Sequence, residues 1–359
     1  MAGMTTEQAL TLVNDSVRAL KAYHLTPEEC AIKLNQNENP CDWPADVKAE
    51  AARFFAERPW NRYPNFVPDG LKAALARHVG VSASNVIVGN GSNEMLLTLL
   101  LSFAAKAKSV IICPPTFTVY RLLCEGMGAK TVSVSLTDDL RYDADGIKRA
   151  AVDNPGAILV ICSPNNPVGN VIDEDDLRGI LDLHTGICIL DQAYVEFGGF
   201  NGVRLLDDYP NLIVTRTFSK AMSGAGLRLG YMIGNSSLIT EINKIKLPYN
   251  INFFSEHAAL TILNNASIAD NTVRTLIDER GSMYQHLTAL PFDNVYPSAA
   301  NFILVRTAKK QELFDRLRTD GILVRDVSSY PLLENCLRIS VGTKDENAKL
   351  RESLGKFFA

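Results

Sequence analysis

Between residues 80 and 235, short apolar runs alternate with longer stretches in which apolar positions return every three or four residues. Runs of four to six apolar residues bounded by turn formers read as strands, and the periodic stretches read as helices. Strands are expected at 85–88, 109–113, 131–134, 157–162, 187–190, 212–215 and 229–233, and helices at 94–105, 118–127, 144–153 and 173–184. Most of these strands lack polar and apolar alternation, the pattern of strands covered on both faces. Strand and crossover-helix units of this kind predict an α/β core with a mostly parallel sheet of about seven strands.

The C-terminal third has a different rhythm. A long helical pattern covers 254–290, followed by a strand at 301–305, a helix at 311–319 and strands at 323–325 and 336–340. Mixed runs of this kind suggest a smaller α+β lobe, with the segment Leu247-Pro-Tyr-Asn250 as the hinge into it. No repeat or low-complexity tract interrupts the chain.

Composition narrows the function classes. The 359 residues are 47% hydrophobic and 21% charged, with 36 basic and 40 acidic side chains and a net charge of -4. Disordered, collagen-like and membrane chains need other compositions, and at ~150 residues per domain two lobes are expected. Slight acidity with no basic block argues against nucleic acid or a membrane surface as partner, leaving a small soluble ligand. Residues 1–18 contain no apolar signal-peptide core and no apolar run reaches the ~18 residues of a membrane span, so a cytoplasmic protein is expected. The seven cysteines are scattered without a paired motif or histidine cluster, so they read as reduced core thiols and no metal site is expected.

Four segments carry candidate chemistry. Gly89-Asn-Gly-Ser-Asn-Glu94 joins a strand to a helix, so its amides form an anion cradle at a helix N-terminus or a plain tight turn. It lacks the third glycine of a dinucleotide fingerprint and the Lys-Ser/Thr of a P-loop, which disfavours a nicotinamide oxidoreductase. Ser163-Pro-Asn-Asn-Pro-Val-Gly169 follows a strand directly, where open α/β sheets bind ligands, although asparagine and proline also make ordinary turns. Asp191-Gln-Ala-Tyr194 puts a carboxylate and a phenol at another strand end, where the aspartate could hold a protonated ring nitrogen or simply cap a turn. Thr215-Arg-Thr-Phe-Ser-Lys220 precedes a glycine-rich stretch with Arg228. A lone lysine is usually solvated, but one placed so is a candidate amine nucleophile beside a phosphate site.

These motifs in this order, together with Asn35-Gln-Asn-Glu-Asn-Pro40, Asn61-Arg-Tyr-Pro64, Pro114-Pro-Thr-Phe117 and Cys336-Leu-Arg-Ile-Ser-Val-Gly-Thr343, resemble the fold-type I, pyridoxal-phosphate-dependent aminotransferases over nearly the whole chain. Within them the chain resembles the histidinol-phosphate branch. The resemblance implies a large sheet domain over 59–253, a small α+β domain from 29–58 and 254–359, and an N-terminal arm over 1–28. It makes Lys220 the Schiff-base lysine and proton shuttle, Asp191 the partner of the pyridinium nitrogen, Asn166 and Tyr194 the hydrogen-bond partners of the ring oxygen, and Phe117 the stacking aromatic. Gly91, Ser92, Asn93, Thr217, Ser219 and Arg228 would surround the cofactor phosphate. Tyr63 resembles the tyrosine that reaches this phosphate from the other subunit, which implies a homodimer with shared active sites.

The resemblance also supplies substrate residues. Arg338 is similar to the superfamily's carboxylate clamp, which in the histidinol-phosphate branch helps bind the substrate phosphate, and Arg325 matches that branch's second arginine; a strand-edge salt bridge to Asp326 or a neighbour is the plain alternative for Arg325. Tyr23 and Asn37 are further substrate candidates. Three positions depart from the family pattern: Phe117 where tyrosine is common, Asn93 where an acidic residue is common, and Gln192 for the usual glutamate. The implied reaction moves an amino group from a small donor such as histidinol phosphate to a keto acid such as 2-oxoglutarate, in histidine biosynthesis. Threonine-phosphate decarboxylase and aromatic aminotransferase are the rival activities on the same fold, and a catalytically silent relative is disfavoured by retention of Lys220, Asp191, Asn166, Tyr194 and Arg228.

Overall fold

The structure, a computed structural model, describes residues 3–20 and 29–359. Its strands in chain order are β1 (Ile32–Lys33), β2 (Val86–Gly89), β3 (Ser109–Ile112), β4 (Lys130–Ser133), β5 (Ile158–Cys162), β6 (Cys188–Asp191), β7 (Leu212–Thr217), β8 (Gly230–Gly234), β9 (Asn294–Tyr296), β10 (Phe302–Arg306), β11 (Ile322–Leu323), β12 (Arg325–Asp326) and β13 (Cys336–Ser340).

Seven of these form one sheet in the order β2-β8-β7-β6-β5-β3-β4. All neighbours are parallel except β8, which runs antiparallel to both β2 and β7. Every residue of β2, β3, β5, β6, β7 and β8 is buried, while the edge strand β4 is partly exposed. That burial is why their sequences are mostly apolar, with the polar exceptions Ser109, Asp191 and Thr215–Thr217 at strand ends. Alternate side chains feed two cores: Ile111, Leu159, Leu190 and Val214 on one face, Val110, Val160, Ile189 and Ile213 on the other. Parallel register aligns the carboxyl ends of β5, β6 and β7, pairing Cys162 with Asp191 and Asp191 with Thr215. The loops that leave those ends therefore converge on one rim.

A second sheet, β12-β13-β10-β9, is antiparallel and packs its own core, including Ile303, Val305, Leu313, Leu337 and Leu350. The C-terminal helix Lys344–Phe358 starts with a capping box between Thr343 and Glu346, which satisfies two amides that the first turn leaves unpaired. Among the described residues no helix is long and apolar enough to cross a membrane.

Three elements differ from the sequence reading. The helical stretch 254–290 divides into Phe253–Asn264 and Ala266–Thr288, because Asn265 leaves helical geometry and its amide N–H closes the first helix on Thr261 and Ile262. Ala259 and Ile262 of the first of these helices, assigned to the small lobe in the sequence reading, are buried in a core of the large sheet. The expected strand 323–325 is two bridges with different partners, β11 on β1 and β12 on β13, which a one-strand reading cannot separate. Helices Ala45–Glu57 and Asp69–Val79 lie outside the expected set; the first buries only Ala51, the second Leu71, Ala74, Leu75 and Ala76.

Candidate active site

Where β5, β6 and β7 end, their loops meet the segment Asn35–Glu38 and the β12 edge around a cavity of about 490 Å³. That volume suits a small-molecule site.

One end of the cavity is built for an anion. Helix Ser92–Ala107 begins here, with Gly91 as its N-cap at φ 83°, so unpaired amides and the positive end of the helix dipole face the space. A side chain at Gly91 would lie 2.9 Å from the Arg228 guanidinium, so the turn closes only with glycine. Arg228 Nη1 donates to the Ser219 hydroxyl at 3.4 Å and to the Ala225 carbonyl at 2.9 Å. Thr217 Oγ1, at the end of β7, accepts from the Ser219 amide at 3.1 Å and donates to the Ser219 hydroxyl at 3.0 Å. Cation, hydroxyl and helix amides are thus gathered on one side.

Asp191 ends β6 on the wall of the same cavity. Its carboxylate is 3% exposed and accepts from the Tyr120 hydroxyl at 2.6 Å and the Ala193 amide at 3.1 Å. Burial pushes its pKa up, against those two hydrogen bonds. A cationic N–H placed beside it would remove that penalty. Tyr194 is buried, its pKa raised by burial, and its hydroxyl accepts from Asn37 Nδ2 at 3.1 Å. Asn37 in turn holds Ser340 through both its amide and its Oδ1, each at 3.0 Å.

Lys220 lines the same cavity. Its Nζ donates to the Gln36 carbonyl at 2.9 Å and sits 5.7 Å from the centre of the Tyr194 ring. Burial first, and the Arg338 charge second, lower its pKa to about 7. Near neutral pH a large fraction of this amine is therefore unprotonated and nucleophilic.

Arg338 and Arg325 occupy paired positions on β13 and β12. Arg338 is buried; its two terminal nitrogens donate to Asn166 Oδ1 and the Asn35 carbonyl, and its guanidinium lies 5.3 Å over the Phe302 ring. The plain alternative for Arg325, a salt bridge to Asp326, is not formed: that carboxylate is engaged by Lys310 at 2.8 Å and by Ser328. Arg325 instead lines the cavity.

Of the residues singled out from sequence, Asn37, Ser92, Asn93, Phe117, Asn166, Asp191, Tyr194, Thr217, Ser219, Lys220, Arg228, Arg325 and Arg338 all line this one cavity. Gly91 supports the cradle from behind. Tyr63 does not reach the cavity of its own chain; it is 81% exposed and stacks on Tyr249 at 4.6 Å. Tyr23 lies outside the described residues. Tyr120, Gln36, Glu38 and Tyr330 also line the cavity and were not anticipated. For Tyr120 a signal existed, since it falls one helical turn after Phe117 on helix Thr118–Gly126 and so shares its face. The departure at Gln192 has a local explanation: its side chain turns away to bind Phe200, Gly202 and Arg216.

Comparisons with known proteins bear on the family and the fold. The chain is 39% identical over 96% of its length, and 100% of the relative's, to a histidinol-phosphate aminotransferase of Chlorobaculum tepidum. The solved structure of histidinol-phosphate aminotransferase from Sinorhizobium meliloti, in complex with pyridoxal-5'-phosphate, superimposes with a TM-score of 0.86 at 25% identity, covering 98% of this chain and 100% of that one. L-Threonine-O-3-phosphate decarboxylase from Porphyromonas gingivalis shares the fold, with a TM-score of 0.77 at 22% identity over 91% and 99% of the two chains. The family model for aminotransferase class I and II matches residues 30–354, so the protein belongs to that family.

Proposed function

We propose that this aminotransferase takes its amino group from histidinol phosphate and delivers it to 2-oxoglutarate, with pyridoxal phosphate as cofactor, in histidine biosynthesis in the cytoplasm. The observation that carries the substrate choice is the pair Arg325 and Arg338, in register on adjacent strands beside the cavity, with the Asp326 carboxylate engaged by Lys310. Two guanidinium groups suit a phosphate dianion better than a neutral aromatic ring. The name carried by the relatives supports the same substrate.

The residues present fit the cofactor. The Ser92 and Asn93 amides, the Ser219 hydroxyl and Arg228 would hold its phosphate; Asp191, buried with its pKa raised by that burial, would face its ring nitrogen; Phe117 would cover the ring face; and Asn166 and Tyr194 would reach its ring oxygen. When bound, pyridoxal phosphate supplies an aldehyde carbon to carry the amino group and a ring that accepts electrons from the substrate carbon. Lys220, its pKa lowered to about 7 by burial, would be the base that takes the proton from the substrate carbon and later gives it back. Burial of the amine keeps water from competing for the same proton.

A second copy of the chain completes the reading. Trp60, Tyr63, Phe66, Leu247 and Tyr249 are all exposed, with Tyr63 and Phe66 both against Tyr249. A homodimer would cover this apolar group and bring Tyr63 to the phosphate of the neighbouring site.

Arg325→Ala tests the substrate. A lost charge-assisted contact costs about 1.5–3 kcal/mol, so kcat/KM for histidinol phosphate should fall by roughly 10- to 150-fold while that for phenylalanine changes little. Equal losses for both substrates would make Arg325 a structural residue and remove the basis for choosing histidinol phosphate.

A further inference from the structure

The anion cradle is not self-supporting. Its turn, Gly89 to Asn93, is held by Glu94, whose carboxylate folds back to accept from the Asn90 amide. A side chain at Gly89 would meet Glu94 Oε2 at 3.0 Å and the Met95 side chain closer still, so glycine is what lets the carboxylate pass. Glu94 is itself gripped from another part of the chain: Asn250 Nδ2 donates to both carboxylate oxygens, at 3.0 and 3.1 Å, and to the Val88 carbonyl at 3.3 Å. The orientation of the Asn250 amide is fixed, because its oxygen accepts from Lys246 Nζ at 2.8 Å.

This arrangement addresses an electrostatic conflict. A carboxylate three residues into a helix competes with any bound anion for the same positive helix end. Two hydrogen bonds from Asn250 and one from the Asn90 amide tie that carboxylate to the turn's own framework. The Ser92 and Asn93 amides are left for a ligand.

We propose that the Glu94–Asn250 pair is the positioning element of the cradle, setting the cofactor phosphate affinity without touching the phosphate. This rests on the reading that the cradle holds the phosphate of pyridoxal phosphate. Asn250 neighbours Tyr249, against which Tyr63 stacks, so the same short segment registers the cradle with the tyrosine proposed to serve the other subunit. The pair is therefore a place where the two sites of a dimer share one support.

The test uses the full-length protein freed of cofactor, with pyridoxal phosphate and pyridoxal as probes of dissociation constant. Asn250→Asp keeps the size and the Lys246 contact but replaces the donor with a second carboxylate against Glu94. It should weaken pyridoxal phosphate by about tenfold or more, the size of a lost hydrogen bond to a charged group, and leave pyridoxal within about threefold. The double variant Glu94→Gln with Asn250→Asp reverses donor and acceptor, keeps one charge, and should restore binding to within about threefold of the parent. Equal weakening of both probes, no weakening, or no restoration by the reversed pair would overturn the proposal. Arg228→Ala runs alongside: if it binds pyridoxal phosphate like the parent, the cradle reading falls and this inference with it. If Arg228→Ala weakens the phosphate probe while Asn250→Asp does not, only the inference falls.

Discussion

Tyr120→Phe removes one hydroxyl and nothing else from the wall of the cavity. That hydroxyl donates to Asp191 Oδ2 at 2.6 Å, with tyrosine 1% and aspartate 3% exposed. After the change, the carboxylate keeps the Ala193 amide on its other oxygen. A buried hydrogen bond to a charged group contributes about 1.5–3 kcal/mol. Burial already draws Asp191 toward its neutral form, and losing a donor to the ionised form draws it further. A neutral carboxyl no longer retains a protonated ring nitrogen. Affinity for pyridoxal phosphate should therefore fall by roughly 10- to 100-fold, at 1.4 kcal/mol per tenfold, and more at pH 6 than at pH 8. Fluorescence titration of the cofactor-free protein at the two pH values measures this directly, with thermal denaturation as the control for folding. An affinity within about twofold of the parent at both pH values would refute the role given to Tyr120 and weaken that given to Asp191.

Two further outcomes follow from Lys220. Borohydride treatment of the cofactor-loaded protein should fix the cofactor covalently to Lys220, located by peptide mapping, and Lys220→Ala should yield no such adduct; an adduct in the variant would place the reactive amine elsewhere. The lowered pKa of Lys220 also has a stability signature. With a folded value of about 7 and an ordinary value of 10.5, the unfolded chain binds more protons between those limits, so this group's contribution to stability rises with pH through that window. Urea unfolding of the cofactor-free parent and Lys220→Ala should show the parent gaining on the variant by on the order of 1–2 kcal/mol between pH 7 and pH 9; a constant difference would contradict the shift.

The large sheet was legible because its strands are buried on both faces, which writes uninterrupted apolar runs such as 158–162 and 212–214 into the chain. The bridges β11 and β12 were read as one strand because they are two residues each and take separate partners, information that lies in Ile32 and Arg338 and not in the segment itself. Helices Ala45–Glu57 and Asp69–Val79 escaped because most of their positions stay at least partly exposed. Among site residues, those at strand ends and in glycine-rich turns were identified by local chemistry and by resemblance. Tyr120, Gln36 and Glu94 were missed in their observed parts because those parts arise from distant contacts, with Asp191, Lys220 and Asn250. The backbone carbonyl of Gln36 carries no side-chain signal at all.

The shared fold of an aminotransferase and a threonine-phosphate decarboxylase makes the bond broken the central question. The most direct measurement is a single half-reaction on the cofactor-loaded protein, adding histidinol phosphate, phenylalanine or threonine phosphate in turn, following the cofactor absorbance and assaying carbon dioxide. Fast conversion to the amino form of the cofactor with histidinol phosphate, slow conversion with phenylalanine, and no carbon dioxide from threonine phosphate is the expected result. Preference for phenylalanine, or release of carbon dioxide from threonine phosphate, would contradict the proposed substrate while leaving fold and family in place.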